Sequence, residues 1–240
     1  MKDSTYFIIL SILDKFLWRG SLINGENLPK EGPAVFVCNH LATQGPIGTM
    51  CSIHLRFYPW VIADMLDKEL APDFLRIDFV EPSLRLNPPL SGVIAKLISI
   101  ISVPMLTSIG CVAINQKQYT DLQNSLHEST HLLKQGRFVL IFPEDSLAEL
   151  EPQTEMRPFL KGFTRLGEIY YKDTGKILPF YPVAIHQSKK VVVGEPVYFN
   201  PSNPPPLERY RLKDLLEEAV TDMYLKMEKG VESSRSHCLG

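Results

Sequence analysis

The chain has 240 residues, 45% of them apolar and 22% charged, with a formal net charge of -2. That length supports a sizeable core, and a near-neutral balance with no basic stripe or zinc-finger spacing argues against nucleic acid as a partner. Cys38, Cys51, Cys111 and Cys238 are scattered without a CxxC pair, which speaks for thiols in a reducing compartment and against a disulfide framework or a metal site.

From the N-terminus, residues 1–20 carry a dense apolar set: Tyr6, Phe7, Ile8, Ile9, Leu10, Ile12, Leu13, Phe16, Leu17 and Trp18. Asp14, Lys15 and Arg19 interrupt or end it, so the run is shorter than the roughly 20 residues a bilayer needs. Residues 1–23 therefore read as an amphipathic segment, either docked on the core or lying in a membrane interface. Next, Val35-Phe36-Val37-Cys38 is an apolar run that stops on Asn39-His40, a buried strand emerging into a polar turn. His54 lies in an apolar-aromatic stretch and is expected to be packed. Between Ser83 and Gln118 there is no acidic residue, while Arg85, Lys96 and Lys117 are present. The apolar piece from Val93 to Leu106 is either a buried helix or a lipid-facing amphipathic surface. Lys96 argues against a spanning helix, and Pro104 would break or kink one.

Cys111 to Ile114 is a short strand candidate. Leu122, Leu126, Leu132 and Leu133 follow a helical pattern that closes at Gly136. Arg137 to Phe142 is a second buried strand, stopping on Pro143-Glu144-Asp145-Ser146. His127 and His131 share a helix face, but without a third ligand a solvated face is the reading. Phe163, Leu166, Ile169 and Tyr170 predict a helix ending at Gly175. Ile177 to Ile185 reads as a strand, and its two prolines, Pro179 and Pro182, suit an edge or a strand end better than a sheet centre. Val191 to Val193 and Val197 to Phe199 form a hairpin or a strand with a turn around Gly194-Glu195-Pro196. After the Pro201–Pro206 connector, Leu207, Tyr210, Leu215, Leu216, Ala219, Val220, Met223 and Met227 mark a core-facing helix stripe. Residues 230–240 read as a disordered tail. Alternating strands and helices argue for a single α/β domain over residues 24–229, with a mixed, mostly parallel sheet flanked by helices. Ligands in such sheets sit where strand ends emerge, which is where Asn39-His40 and Glu144-Asp145 fall.

Four blocks in order resemble the glycerolipid acyltransferase family, which acylates lysophosphatidic acid and related acceptors. They are Asn39-His40 through Gly45, Gly110 through Gln116, Phe142-Pro143-Glu144-Asp145-Ser146-Leu147, and Tyr181-Pro182-Val183-Ala184-Ile185, with Pro158-Phe159-Leu160-Lys161-Gly162 matching a further family region. The resemblance covers roughly residues 24–199 and implies a glycerol-3-phosphate acyltransferase-like fold. It implies that His40 is a general base on an acceptor hydroxyl that attacks the thioester of acyl-CoA or acyl-carrier protein. It also implies substrate contacts from Asn39, Gly45, Asn115, Gln116, Ser146, Lys161 and Gly162, with no metal and no cofactor beyond the acyl thioester as co-substrate.

The departures are as informative. The family's aspartate, which orients the histidine ring, is replaced by Gly45, while the family's glycine after the third-block glutamate is Asp145. A migrated dyad follows as an expectation, in which Asp145 or Glu144 supports His40 across space left by Gly45. The alternative is that Asp145 caps the next helix. The family's two phosphate-associated arginines are replaced by Gln116 and Leu147. Lys117, Arg157 and Lys161 are nearby and could substitute, though a lysine is only a point charge, and the simpler expectation is an acceptor other than lysophosphatidate. Three functions fit: transfer of an acyl group to a lipid hydroxyl or amine, an inactive relative that binds lipid or a protein partner, and an acyl-thioester hydrolase. For the transferase, the expected partners are a lipid acceptor, acyl-CoA or acyl-carrier protein, and a membrane contacted peripherally from its inner, cytoplasmic face.

Overall fold

The computed structural model describes residues 1–41, 44–115 and 119–237. Gln116, Lys117 and Cys238 lie outside the described residues. In chain order the elements are α1 (Asp3–Leu13), β1 (Ser21–Ile23), β2 (Ala34–Cys38), α2 (Gln44–Ser52), β3 (Phe57–Ile62), α3 (Ala71–Leu75) and α4 (Glu81–Leu84). They continue with α5 (Leu90–Ile109), β4 (Val112–Ile114), α6 (Tyr119–Lys134), β5 (Phe138–Ile141), α7 (Arg165–Thr174), β6 (Pro179–His186), β7 (Lys190–Val193), β8 (Val197–Tyr198) and α8 (Pro205–His237). The architecture is the expected α/β one, with a mixed, mostly parallel set of strands between helices. The chain divides into two compact units, Met1–Lys2 with Tyr58–Glu128, and Asp3–Phe57 with Ser129–Gly240.

The larger unit holds five strands in the order β1-β7-β6-β2-β5, with β8 also on β6. β2 is parallel to both its neighbours, with Phe36 opposite Leu140 on β5 and Tyr181 on β6. All five residues of β2 are buried, as a strand covered on both faces requires, and β-branched and aromatic side chains suit that place. Phe36 anchors the layer, meeting Phe57 and Phe138 edge-on and stacking on Tyr181. α8 packs on β6 through Leu212, Leu216, Val220, Tyr224 and Met227. Leu207, Tyr210 and Leu215, counted in the predicted stripe, are exposed instead, because the buried seam runs at four-residue steps from Leu212. α8 also continues past Gly230 to His237, where a disordered tail was expected.

β6 is not an edge, since it lies between β2 and β7, whereas Pro179, its first residue, meets the strand-end alternative. Its Pro182 is accommodated at a discontinuity. β7 pairs with Val183 to His186 and β8 with Pro179 and Phe180, so Pro182 faces the turn between them and lacks no ladder donor there. Gly194 closes that turn by donating its N–H to the Pro182 carbonyl at 2.9 Å. α6 ends as its sequence predicts: Gly136 takes φ +75°, and Arg137 N donates to Leu132 O at 3.1 Å, which satisfies last-turn carbonyls.

The N-terminal segment docks by one face only. Tyr6, Leu10 and Trp18 are buried, whereas Ile8, Ile12, Leu17 and Phe16, the last 73% exposed, point outward. A π-helical turn over Asp14–Trp18 brings the indole down onto α2, where its Nε1 donates to Ser52 Oγ at 2.8 Å. α2 admits the ring because residue 48 is glycine. A Cβ there would lie 2.7 Å from the indole carbons and 2.6 Å from Ile185 Cδ1. His54, expected to be packed, is exposed just past this helix.

In the smaller unit β3 pairs in parallel with β4, Trp60 opposite Val112. Leu75, Val80 and Ala95 form a small core, with Met65, Phe79, Leu86, Ile94 and Ile98 around it. α5 runs unbroken through Pro104, so of the break or kink its sequence suggests, the break is not found. Its buried face is largely small, with Ser91, Ala95, Ser99 and Val103, while Leu90, Val93, Leu97, Ile100 and Ile101 are exposed. By length and composition this helix could cross a bilayer. The Trp18 dock makes a direct stability claim: Trp18→Ala is expected to destabilise the chain by about 3–5 kcal/mol, read as a lowered urea midpoint at unchanged slope.

Candidate functional site

Asn39 and His40 emerge together from β2, and their side chains part at once. Asn39 turns inward, where its Nδ2 donates to Ile185 O at 3.0 Å and its Oδ1 accepts from Ile185 N at 2.8 Å. It is therefore a brace between β2 and β6, with its polar atoms occupied. This is a structural use of a residue expected to contact substrate. His40 stays at the surface, its ring edge-on to Phe142 at 5.4 Å between centroids. Leu41 follows with φ +22°, an uncommon conformation for a branched side chain.

Glu144, at the end of the β5 segment, holds this turn. Its Oε1 accepts from the His40 backbone N–H at 2.7 Å and its Oε2 from the Arg157 backbone N–H at 3.1 Å. The carboxyl group is buried, and that desolvation raises its pKa. The two backbone N–H groups and the Arg157 charge oppose the rise, and Glu217 adds to it. Behind it the Cys38 thiol, 3.3 Å from Thr49 Oγ1, is pushed up to about 12, chiefly by burial. Cys38 is thus an uncharged core group and no nucleophile.

The migrated dyad takes a different form from the expected one. Glu144 supports His40 through the backbone, not the ring. Asp145 turns its Oδ1 to the Leu147 N–H at 3.0 Å, closing a local turn as short acidic side chains do; it caps no helix, because the segment after β5 is irregular up to Gly162. Among the described residues neither carboxylate hydrogen-bonds a ring nitrogen of His40. Nor does Gly45 leave space. A Cβ at that position would lie 2.3 Å from the His40 carbonyl oxygen and 2.7 Å from its carbon. The glycine permits a close approach of backbone to backbone, and a side chain there would displace the histidine it was meant to orient.

The imidazole has its own electrostatic setting. Partial desolvation, and secondarily the Arg157 guanidinium, lower its pKa. Arg157 is anchored by its Nε to Ala148 O at 3.0 Å. A lowered pKa keeps His40 neutral near pH 7, the state a base requires.

Ser146 is exposed beside Asp145, and Lys161 is exposed with its ammonium group on the Tyr210 ring and hydroxyl. Gly162 opens a short 3-10 turn. Asn115 follows β4 in the smaller unit, and Gln116 is outside the described residues. Two contributors carry no sequence signal for the roles they take here, Arg157 standing out only as a cation near the replaced arginines. Arg157 is one polar residue in an irregular loop, and Glu217 on α8, which accepts from Phe159 N at 2.7 Å, looks like any solvated helix position.

No family model and no curated protein matches the chain. Among solved structures it is similar to the 1-acyl-sn-glycerophosphate (LPA) acyltransferase PlsC from Thermotoga maritima. The TM-score is 0.56 at 16% identity, over 94% of this chain and 81% of that one. The fold is acyltransferase-like. At that identity the likeness speaks for the fold alone, and the site must be read from its own residues.

Two measurements check this geometry. In an NMR titration His40 should titrate below the ordinary imidazole value of about 6.5. The unfolded chain then takes up this proton first, so stability falls as pH drops from that value through the lowered one. Arg157→Met should raise the His40 pKa but leave it short of the ordinary value, because desolvation remains. Gly45→Asp, which restores the family residue, should destabilise by about 1–3 kcal/mol through overpacking, read by chemical denaturation.

Proposed function

We propose that this chain is an acyltransferase that moves a fatty acyl group from acyl-CoA or acyl-carrier protein to the hydroxyl or amine of a lipid acceptor. The observation that carries the reading is a neutral imidazole kept at a strand end by a buried carboxylate on its backbone, within an acyltransferase-like fold. In the proposed step a ring nitrogen of His40 takes the acceptor proton as the oxygen or nitrogen attacks the thioester carbonyl. The tetrahedral intermediate collapses by breaking the carbon–sulfur bond, and the proton on His40 passes to the departing thiolate. A positioned imidazole contributes about 10²–10⁴ in rate. Without a carboxylate on the ring, and with Arg157 nearby, the imidazolium is poorly stabilised, so the enzyme should be slow.

The acceptor we favour lacks the phosphate of lysophosphatidate, because Leu147 stands where the family arginine is expected and is almost fully exposed. We place the protein on the cytoplasmic face of a membrane. Exposed apolar side chains on α1, with Lys15 and Arg19 nearby, suit an interface, as does the outward face of α5 with Lys96. Cys38 and Cys51 are buried free thiols, which suits a reducing compartment. A second reading, an inactive lipid-binding relative, is favoured by the ring that lacks a carboxylate partner.

Thiol release from long-chain acyl-CoA or acyl-carrier protein, with and without total lipid extract, separates these readings. Acceptor-stimulated release that falls at least 10²-fold in His40→Ala is the transferase outcome. Release without added acceptor would indicate a hydrolase. Binding of acyl-CoA with equal background rates in both proteins would sink catalysis and leave the lipid-binding reading.

A further inference from the structure

The carboxylate that holds His40 is itself held by α8. Glu144 forms an isolated antiparallel β-bridge with Phe159, flanked by Asp145 N to Pro158 O at 2.9 Å and Leu160 N to Pro143 O at 2.8 Å. The Phe159 N–H does not point back to Glu144. It donates to Glu217 Oε1 at 2.7 Å. Glu217 Oε2 is paired in turn with Lys213 Nζ, one helical turn earlier, at 2.5 Å. Both members of the pair are mostly buried, at 20% and 23% side-chain exposure, and Leu212 and Leu216 beside them are fully buried. The helix therefore offers a fixed point, and the long irregular segment between β5 and α7 is tied to it where its two limbs meet.

We propose that Glu217 is a positioning residue for the base: through Phe159 it holds the Glu144 limb against the His40 backbone. The inference rests on the acyltransferase reading only where turnover is measured. Its basis is a continuous sequence of contacts within the larger unit, Lys213 to Glu217 to Phe159, Phe159 to Glu144, and Glu144 to His40. A long surface segment without such an anchor would be mobile. A mobile Glu144 would leave the His40 N–H without its acceptor. Glu217 also acts through charge. The charged and titratable groups facing Glu144 are Arg157, Glu217 and Cys38, with His40 above and Lys213 behind Glu217. Of these, Glu217 repels the ionised form of Glu144.

The two roles can be separated by substitution. Glu217→Gln keeps an oxygen that can accept from Phe159 N–H and removes the charge, whereas Glu217→Ala removes both. Amide hydrogen exchange followed by NMR should show His40 and Phe159 exchanging about tenfold faster or more in Glu217→Ala. In Glu217→Gln they should stay within about threefold of wild type. The Glu144 carboxyl, followed by carbon NMR, should titrate lower in Glu217→Gln. A loss of packing alone would not move it in that direction. Turnover should fall about tenfold in Glu217→Ala at unchanged KM and stay near wild type in Glu217→Gln. Unchanged His40 exchange in Glu217→Ala overturns the proposal whatever the activity. If Glu217→Ala fails to fold, Glu217→Met decides, because it keeps the bulk and removes the acceptor for the Phe159 N–H, and unchanged His40 exchange in it overturns the proposal. The expected exchange pattern in a protein that never releases thiol would uphold the positioning role and reject acyl transfer.

Discussion

One buried carboxylate, that of Glu144, organises the site. Its two oxygens accept from the backbone N–H groups of His40 and Arg157, which are 117 residues apart in sequence. Burial disfavours the charged form, and the bonds from both amides partly offset that cost. Removing either amide contact would leave a buried acceptor under-satisfied. The turn after β2 and the loop after β5 thus share one constraint. The positions of His40, Asp145 and Arg157 follow from it.

This arrangement exchanges one kind of support for another. A carboxylate on the ring would fix the tautomer and stabilise an imidazolium. Support on the backbone fixes where the ring stands and leaves its charge state to the surroundings. Those surroundings, desolvation first and then Arg157, favour the neutral ring. The site is better suited to accept a proton transiently than to hold one. Gly45 belongs to the same logic, because the close passage of α2 past the His40 carbonyl excludes any side chain there.

The apolar surface follows a different rule. α1 and α5 each bury a narrow face and expose a large-residue one. In α5 the inward positions are occupied mainly by serines, alanine and valine, so the helix packs closely through small side chains while its leucines and isoleucines face out. Such an inside-out distribution departs from the usual stripe of a surface helix. It gives the proposed membrane contact its physical basis.

Much of the larger unit was legible from local pattern. The buried strands ending on Asn39-His40 and on Pro143-Glu144, the glycine-capped α6 and the α/β alternation are all written in runs of apolar residues and their stops. Pattern failed where a residue's surroundings come from distant segments. Pro182 reads as an edge or strand-end signal, but the break between β7 and β8 supplies an interior place that tolerates it. Asn39 reads as a substrate contact, but Ile185 occupies its amide. Gly45 reads as vacated space, but backbone fills it. The sequence by itself determined which residue types stand at the strand ends, because periodicity and turn chemistry are local. Only the tertiary structure decided that Glu144 grips the His40 backbone instead of its ring, and that Glu217 on α8 anchors the loop. Those contacts join segments whose spacing along the chain carries no record of their meeting in space.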